Sequence, residues 1–234
     1  MKKYIVSFLF VGLLFVSGIT NAQGPQAGGP KMPPLGDSPN LLHQQEREEF
    51  REQAQQNKEE FKNKMAENRE QIREKLMANR EALKTKLQTI KNEKKQNAVL
   101  NVSDNIEKIN EKATDRLSNL VDNIENVLEN IQTRTDKAKA DGINVASVED
   151  AIDQAKKIIG EARDAISVQT TKEYIINVTD EKTLKEVVKA VRDTFHADIK
   201  AVQEKVKLAH EAVRNSAQTL ASVIPPIAEE EGTE

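Results

Sequence analysis

Between Phe50 and Glu93 an eleven-residue phrase is written four times: FREQAQQNKEE, FKNKMAENREQ, IREKLMANREA and LKTKLQTIKNE. Phe50, Phe61, Ile72 and Leu83 open the phrases; Ala54, Met65, Leu76 and Leu87 stand four residues in, and Asn57, Asn68, Asn79 and Ile90 seven in. On an α-helix, at about 100° per residue, the three columns fall within roughly 60° of one another, so the repeat predicts a coiled-coil helix with one thin seam. Eleven residues in three turns is about 3.67 per turn, close to a straight helix, so a partner would wrap it weakly and right-handedly. An isolated helix is marginal in water, and the Phe, Ile and Leu columns need a second helix to cover them, from another copy of the chain or from later in this one. Two readings of the Asn column are open. In a core position Asn57, Asn68 and Asn79 would set register and copy number at some loss of stability; beside the stripe they would face water.

Few other folds are compatible with the composition. Beyond residue 22 the only aromatics are Phe50, Phe61, Tyr174 and Phe195, so a core must be built from Ile, Leu, Val and Ala, which suits packed helices. No Pro lies between Pro39 and Pro225, and only Gly142 and Gly160 interrupt that span. The expectation is an all-α chain: a long N-terminal hendecad coiled-coil helix followed by a three-helix bundle with a short extended crossing segment.

Met1 to Ala22 has a basic start at Lys2 and Lys3, an apolar run from Ile5 to Val16, and small residues at Ser17, Gly18, Thr20 and Ala22. It reads as a secretory signal peptide cleaved after Ala22, which places the protein outside the cytoplasm, periplasmic or secreted. Left uncleaved it would be an anchor, although the run is short for a full span. Residues 23–40 hold five prolines and four glycines, the composition of a disordered linker, with Asp37, Ser38 or Asn40 available to cap the helix that follows. The repeat helix takes residues 41–100. With no Gly or Pro to force a break near 97–104, the sequence predicts one continuous helix from about residue 41 to 140, roughly 150 Å long. A fresh start capped by Ser103 or Asp104 is the alternative.

A bundle is expected over 101–222. Ile106, Ile109, Ala113, Leu117, Leu120, Ile124, Val127 and Ile131 step by threes and fours as an inward stripe, broadened by Val121 and Leu128. Asp141-Gly142 ends that helix and Ser147 with Asp150 starts the next. Tyr174 to Val178 is the one strand-like run, and alone it cannot build a sheet, so it reads as an extended crossing. Thr179 or Asp180 caps the last helix, which carries Leu184, Val188, Val191, Phe195, Val202, Val206, Ala209, Val213 and Leu220 inward; Pro225-Pro226 ends it before an acidic tail over 223–234. Helices of about 55, 36 and 64 Å close as a bundle if the extended run finishes the descent of the second and the third rises parallel to the first.

Removing the leader leaves 33 basic against 38 acidic residues, a mildly acidic balance that does not suggest a nucleic-acid partner. Lys84, Lys86, Lys91, Lys94 and Lys95 form a basic stretch suited to an anionic partner or a membrane surface. With no cysteine there is neither disulfide nor thiol chemistry. His196 and His210 stand about 21 Å apart along one helix, and Asp193 with His196 makes two ligands, which is not a metal site. Lys137 and Lys139 would occupy ion-binding positions of a calcium loop ending in Asp141-Gly142 and repel the ion. No phosphate-cradling glycine pattern, Gly-x-Ser-x-Gly or HExxH is present, so no cofactor and no catalytic residue is nominated.

The segments AENREQIREKLMANREALKTKLQTIK (66–91), DRLSNLVDNIENVLENIQTRTDKAKADGINVASVEDAI (115–152) and KVKLAHEAVRNSAQTLASV (205–223) resemble those of uncharacterised bacterial exported helical coiled-coil proteins. The resemblance implies a leader, a charged coiled-coil segment and a bundle, and no activity. The expected function is non-enzymatic: a structural or interaction protein acting through helix–helix association with itself or another helical protein. The alternatives are a periplasmic chaperone-like client binder, or a membrane-surface binder acting through residues 75–95.

Overall fold

The computed structural model describes residues 39–224; the stretch expected to be a leader, most of the expected linker and most of the expected acidic tail lie outside them. The described residues are all-α, with four helices: α1 Pro39–Leu87, α2 Glu93–Ala140, α3 Ala146–Thr170 and α4 Leu184–Val223. α1 begins two residues inside the stretch expected to be linker, with Pro39 at the first helical position, where a missing N–H and a fixed φ are tolerated.

The continuous helix expected over 41–140 does not occur. The chain turns back at residues 88–92, closed by backbone bonds from Gln88 N to Thr85 O (3.2 Å) and Ile90 N to Leu87 O (2.9 Å). The side-chain oxygen of Asn92 accepts from Lys95 N at 3.2 Å, so Asn92 caps α2 about ten residues ahead of the Ser103 or Asp104 start. Gln96 Nε2 donates to Ile90 O at 2.6 Å and holds the turn against the new helix. Burial outweighs the local preference to continue: the turn places Leu87, Ile90 and Val99 in one apolar cluster with Ile176, Val178 and Leu184.

Pairs between elements give the directions. Lys62 meets Asp122 (3.5 Å) and Arg80 meets Asp104 (2.7 Å), so α1 and α2 are antiparallel. Lys64 meets Asp164 (3.6 Å) and Asn68 Nδ2 donates to Ser167 Oγ (3.0 Å), so α1 and α3 are parallel. Lys139 meets Glu149 (2.8 Å) across the α2–α3 hairpin, and Lys205 meets Glu161 (3.1 Å) while Lys172 meets Asp198 (2.7 Å), so α4 runs antiparallel to α3. α4 therefore runs parallel to α2, as the helix lengths require. α1 joins the three later helices as a fourth leg, and its Phe61 and Met65 share one core cluster with Leu117, Val121, Ile124, Leu128 and Ile166.

The ends follow local chemistry. After α2, Gly142 takes φ 83°, with Gly142 N bonded to Lys139 O (3.0 Å) and Ile143 N to Ala138 O (2.9 Å), the paired bonds of a left-handed helix stop. Ser147 is not the cap of α3; Asn144 Oδ1 accepts from Ala146 N instead (3.2 Å). Residues 172–180 are extended, with Ile176 and Val178 buried. Asp180 Oδ1 accepts from Lys182 N (2.6 Å) and Thr183 N (3.1 Å), an Asx turn that delays α4 to Leu184.

One part of the expected interior is outside. Ile106, Leu117, Ile124 and Ile131 are buried, but Ile109, Leu120 and Val127 are about half exposed. Steps of three and four hold for both sets; α2 is rotated so that Val121 and Leu128, instead of Leu120 and Val127, enter the core.

Candidate functional site

Of the nine seam positions, Ala54, Phe61, Met65, Ile72, Leu83, Leu87 and Ile90 are buried, while Phe50 and Leu76 are half-buried. α2, α3 and the extended run cover them within one chain. The Asn column separates by position: Asn57 is exposed, Asn68 donates to Ser167 and Thr170 at the end of α3, and Asn79 donates to Glu173 Oε2 (2.7 Å). Asn68 and Asn79 thus pin α1 lengthwise against α3 and the segment after it.

The basic stretch lies at the α1–α2 turn. Lys84 pairs with Glu81 (2.6 Å), Lys95 with Glu181 (2.6 Å), and Lys86 reaches Asn177 Oδ1 (3.3 Å). Lys91 and Lys94 are exposed and make no ion pair among the described residues.

The most charged part of the interior is formed by residues that no sequence motif marks. Arg163 of α3, 6% exposed, donates to Glu125 Oε2 at 2.6 Å and Asp122 Oδ1 at 3.3 Å, both on α2, and its guanidinium lies 5.5 Å from the centre of the Phe61 ring. Lys58 and Lys62 approach Asp122 from α1 at 3.9 and 3.5 Å. Burial raises the pKa of Glu125, opposed by the attraction of Arg163. The signal was present at sequence level: Asp122, Glu125 and Arg163 stand on expected helices, and their burial required knowing how those helices are rotated.

A second polar set sits where α3 ends. Gln169 Nε2 donates to Asn110 Oδ1 (2.8 Å) and Tyr174 Oη (2.7 Å), Tyr174 donates to Asp198 (2.9 Å), and Lys172 pairs with the same carboxylate (2.7 Å). Burial, more than the Asp198 charge, raises the Tyr174 pKa, while the bonds from Lys172 and Tyr174 outweigh burial and lower that of Asp198. In this arrangement every charge is matched within the fold, which is the logic of a fastening between α2, α3 and α4.

Open clefts flank α1, and two of them are the larger. One of about 410 Å³ lies against α3, with Phe61, Leu128 and Ile159 in its walls; the other, of about 530 Å³, lies against α2, with Ile72, Leu76 and Tyr174. Glu107 lines the second, half-buried and without a hydrogen-bond or ion-pair partner among the described residues. Burial first and Asp104 second raise its pKa, against the pull of Arg80. A carboxylate whose folded pKa exceeds its unfolded value costs stability once the pH has risen through the folded value. Glu107→Gln is therefore expected to raise the urea midpoint at neutral pH, and the gain should shrink as the pH falls below the ordinary glutamate range, where the acid becomes protonated in both states.

Among the described residues no three His, Asp or Glu side chains are grouped to hold a metal ion, and no helix is long and apolar enough to cross a membrane. Comparison with protein-family models, with curated proteins and with solved structures found no match to this chain.

Proposed function

We propose that this chain is a non-enzymatic, extracytoplasmic structural and interaction protein that works by helix–helix association. The observation that carries the reading is the row of Ile109, Leu120 and Val127 along α2, each about half exposed on a bundle whose core is already closed by other residues. Scattered exposed aliphatics need no explanation, but a row in line on one helix is what a packing helix would cover. The repeat of α1 serves the same end from within. As a hendecad coiled-coil device it holds a thin edge straight along residues 50–87 of α1, so that the helix lies against α2 and α3. The basic start at Lys2 and Lys3 and the apolar run after it support export.

The test is chemical crosslinking of the full-length product in the cells that make it, with recovery of the exported form. A mature chain beginning at Gln23, carrying discrete higher-mass crosslinked species that saturate with dose, is expected. A chain that stays in the cytoplasm, or crosslinks only as a monomer at every dose, removes the reading.

A further inference from the structure

α2 is divided lengthwise by charge. At about 100° per residue, Ile109, Leu120 and Val127 fall within about 20° of one line down the helix. Over residues 102–137 all five basic side chains, Lys108, Lys112, Arg116, Arg134 and Lys137, lie within about 100° of that line, and all eight acidic ones lie about 120° or more from it. Four of the eight acids form ion pairs inside the molecule: Asp104 with Arg80, Asp115 with Arg69, Asp122 with Lys62 and Arg163, Glu125 with Arg163. On the basic half all five cations are exposed, and none has an ion-pair partner among the described residues. Between them stand the exposed amides Asn119, Asn123 and Asn130.

The spacing on this face is that of a seam for one helix. Residues 109, 113, 116, 120, 123, 127, 130 and 134 alternate by four and three, and the apolar members Ile109, Ala113, Leu120 and Val127 cover about 27 Å of helix. We propose that this face docks an acidic amphipathic helix of another protein, an aliphatic ridge lying on Ile109, Leu120 and Val127 with Asp and Glu beside Lys112, Arg116 and Arg134. The charge segregation commits the occupant. Basic side chains of α1 and α3 already pair with acids on the acidic half of α2, and the same electrostatics asks for acid on the other half. A second copy pairing through this face about a two-fold axis would set Lys112 and Arg116 among their own kind. A bilayer surface would receive aliphatics interrupted by Asn and Arg with no aromatic among them.

The inference rests on the association reading and assigns its face. The probe is a designed helical peptide with Leu at the alternating spacing and Glu at the flanks, labelled and titrated into the full chain. The same peptide with Lys for Glu, and vesicles containing phosphatidylglycerol, are titrated in parallel. The Glu peptide should bind, weaken as salt rises, and lose at least tenfold in affinity to the Arg116→Glu/Leu120→Gln protein, whose thermal midpoint should match the parent's because both positions are exposed. Lys112→Glu, a lone surface change, should weaken it in the same direction. Equal binding of the Lys peptide, no binding of the Glu peptide, or binding indifferent to these substitutions would overturn the proposal. So would capture by the vesicles, or a dimer of the parent abolished by Leu120→Gln. If crosslinks in producing cells persist unchanged in the double variant, the face is wrong and the association reading stands; if the parent gives none, the reading itself fails.

Discussion

Phe61→Ala should lower the unfolding free energy by about 3–5 kcal/mol, the usual loss for truncating a buried aromatic whose site cannot collapse. Phe61 opens the second of the repeated phrases, is 6% exposed, and packs into the same cluster as Leu117, Val121, Ile124 and Leu128 of α2. The form of the transition matters as much as its midpoint. If α1 is a leg of the bundle, helix loss followed by circular dichroism and the environment of Tyr174 followed by fluorescence should move together to lower urea. Tyr174 touches Phe195 edge-on at 5.1 Å, far along the chain from Phe61. A Tyr4→Phe background makes Tyr174 the only tyrosine, and the sequence has no tryptophan. Two separated transitions, with Tyr174 indifferent to the substitution, would mean that α1 folds apart from the rest.

Arg163→Met should cost a similar amount, about 3–5 kcal/mol, because it removes the cation and leaves Asp122 and Glu125 buried. Lys58 and Lys62 still reach Asp122, so the carboxylate left most exposed to the change is Glu125. Burial already raises its pKa, and Arg163 is the main force opposing that rise, so the substitution pushes it further up. The penalty is therefore full at neutral pH and shrinks as the pH falls through the new value, since a protonated Glu125 no longer carries a buried charge. Urea midpoints at neutral pH and near pH 4 check the sign. A loss that is the same at both would assign the role of Arg163 to its packing on Phe61, 5.5 Å away, and not to its charge. Because the two side chains touch, the losses of Phe61→Ala and Arg163→Met should not add.

The candidate face was half legible from sequence. That the bases and acids of α2 occupy opposite halves follows from their spacing alone. Ile109, Leu120 and Val127, however, read as core because they step by threes and fours with Leu117, Ile124 and Ile131, and a helix with two such lines does not declare which one its neighbours will take. Arg163 is the complementary case, a charged residue that the sequence does not single out and that lies at the centre of three helices. The turn at residues 88–92 also had a local sign, Asn92 ahead of Glu93, but no Gly or Pro to announce it.

The amino-acid sequence by itself determined that the chain is helical from about residue 41 to 222, with one extended run before the last helix. It also determined that the repeat carries a thin edge needing cover, and that Gly142 stops the second helix. Each of these depends on residues within a few turns of one another: the absence of proline, the period of the apolar columns, the freedom of one glycine. Only the tertiary structure decided that the edge is covered by the chain's own later helices, that the first helix turns back after Leu87, and which line of α2 remains in water. These depend on burying Leu87, Ile90 and Val99 with Ile176 and Leu184, residues brought together from across the chain, and helical periodicity carries no record of which neighbour will be there.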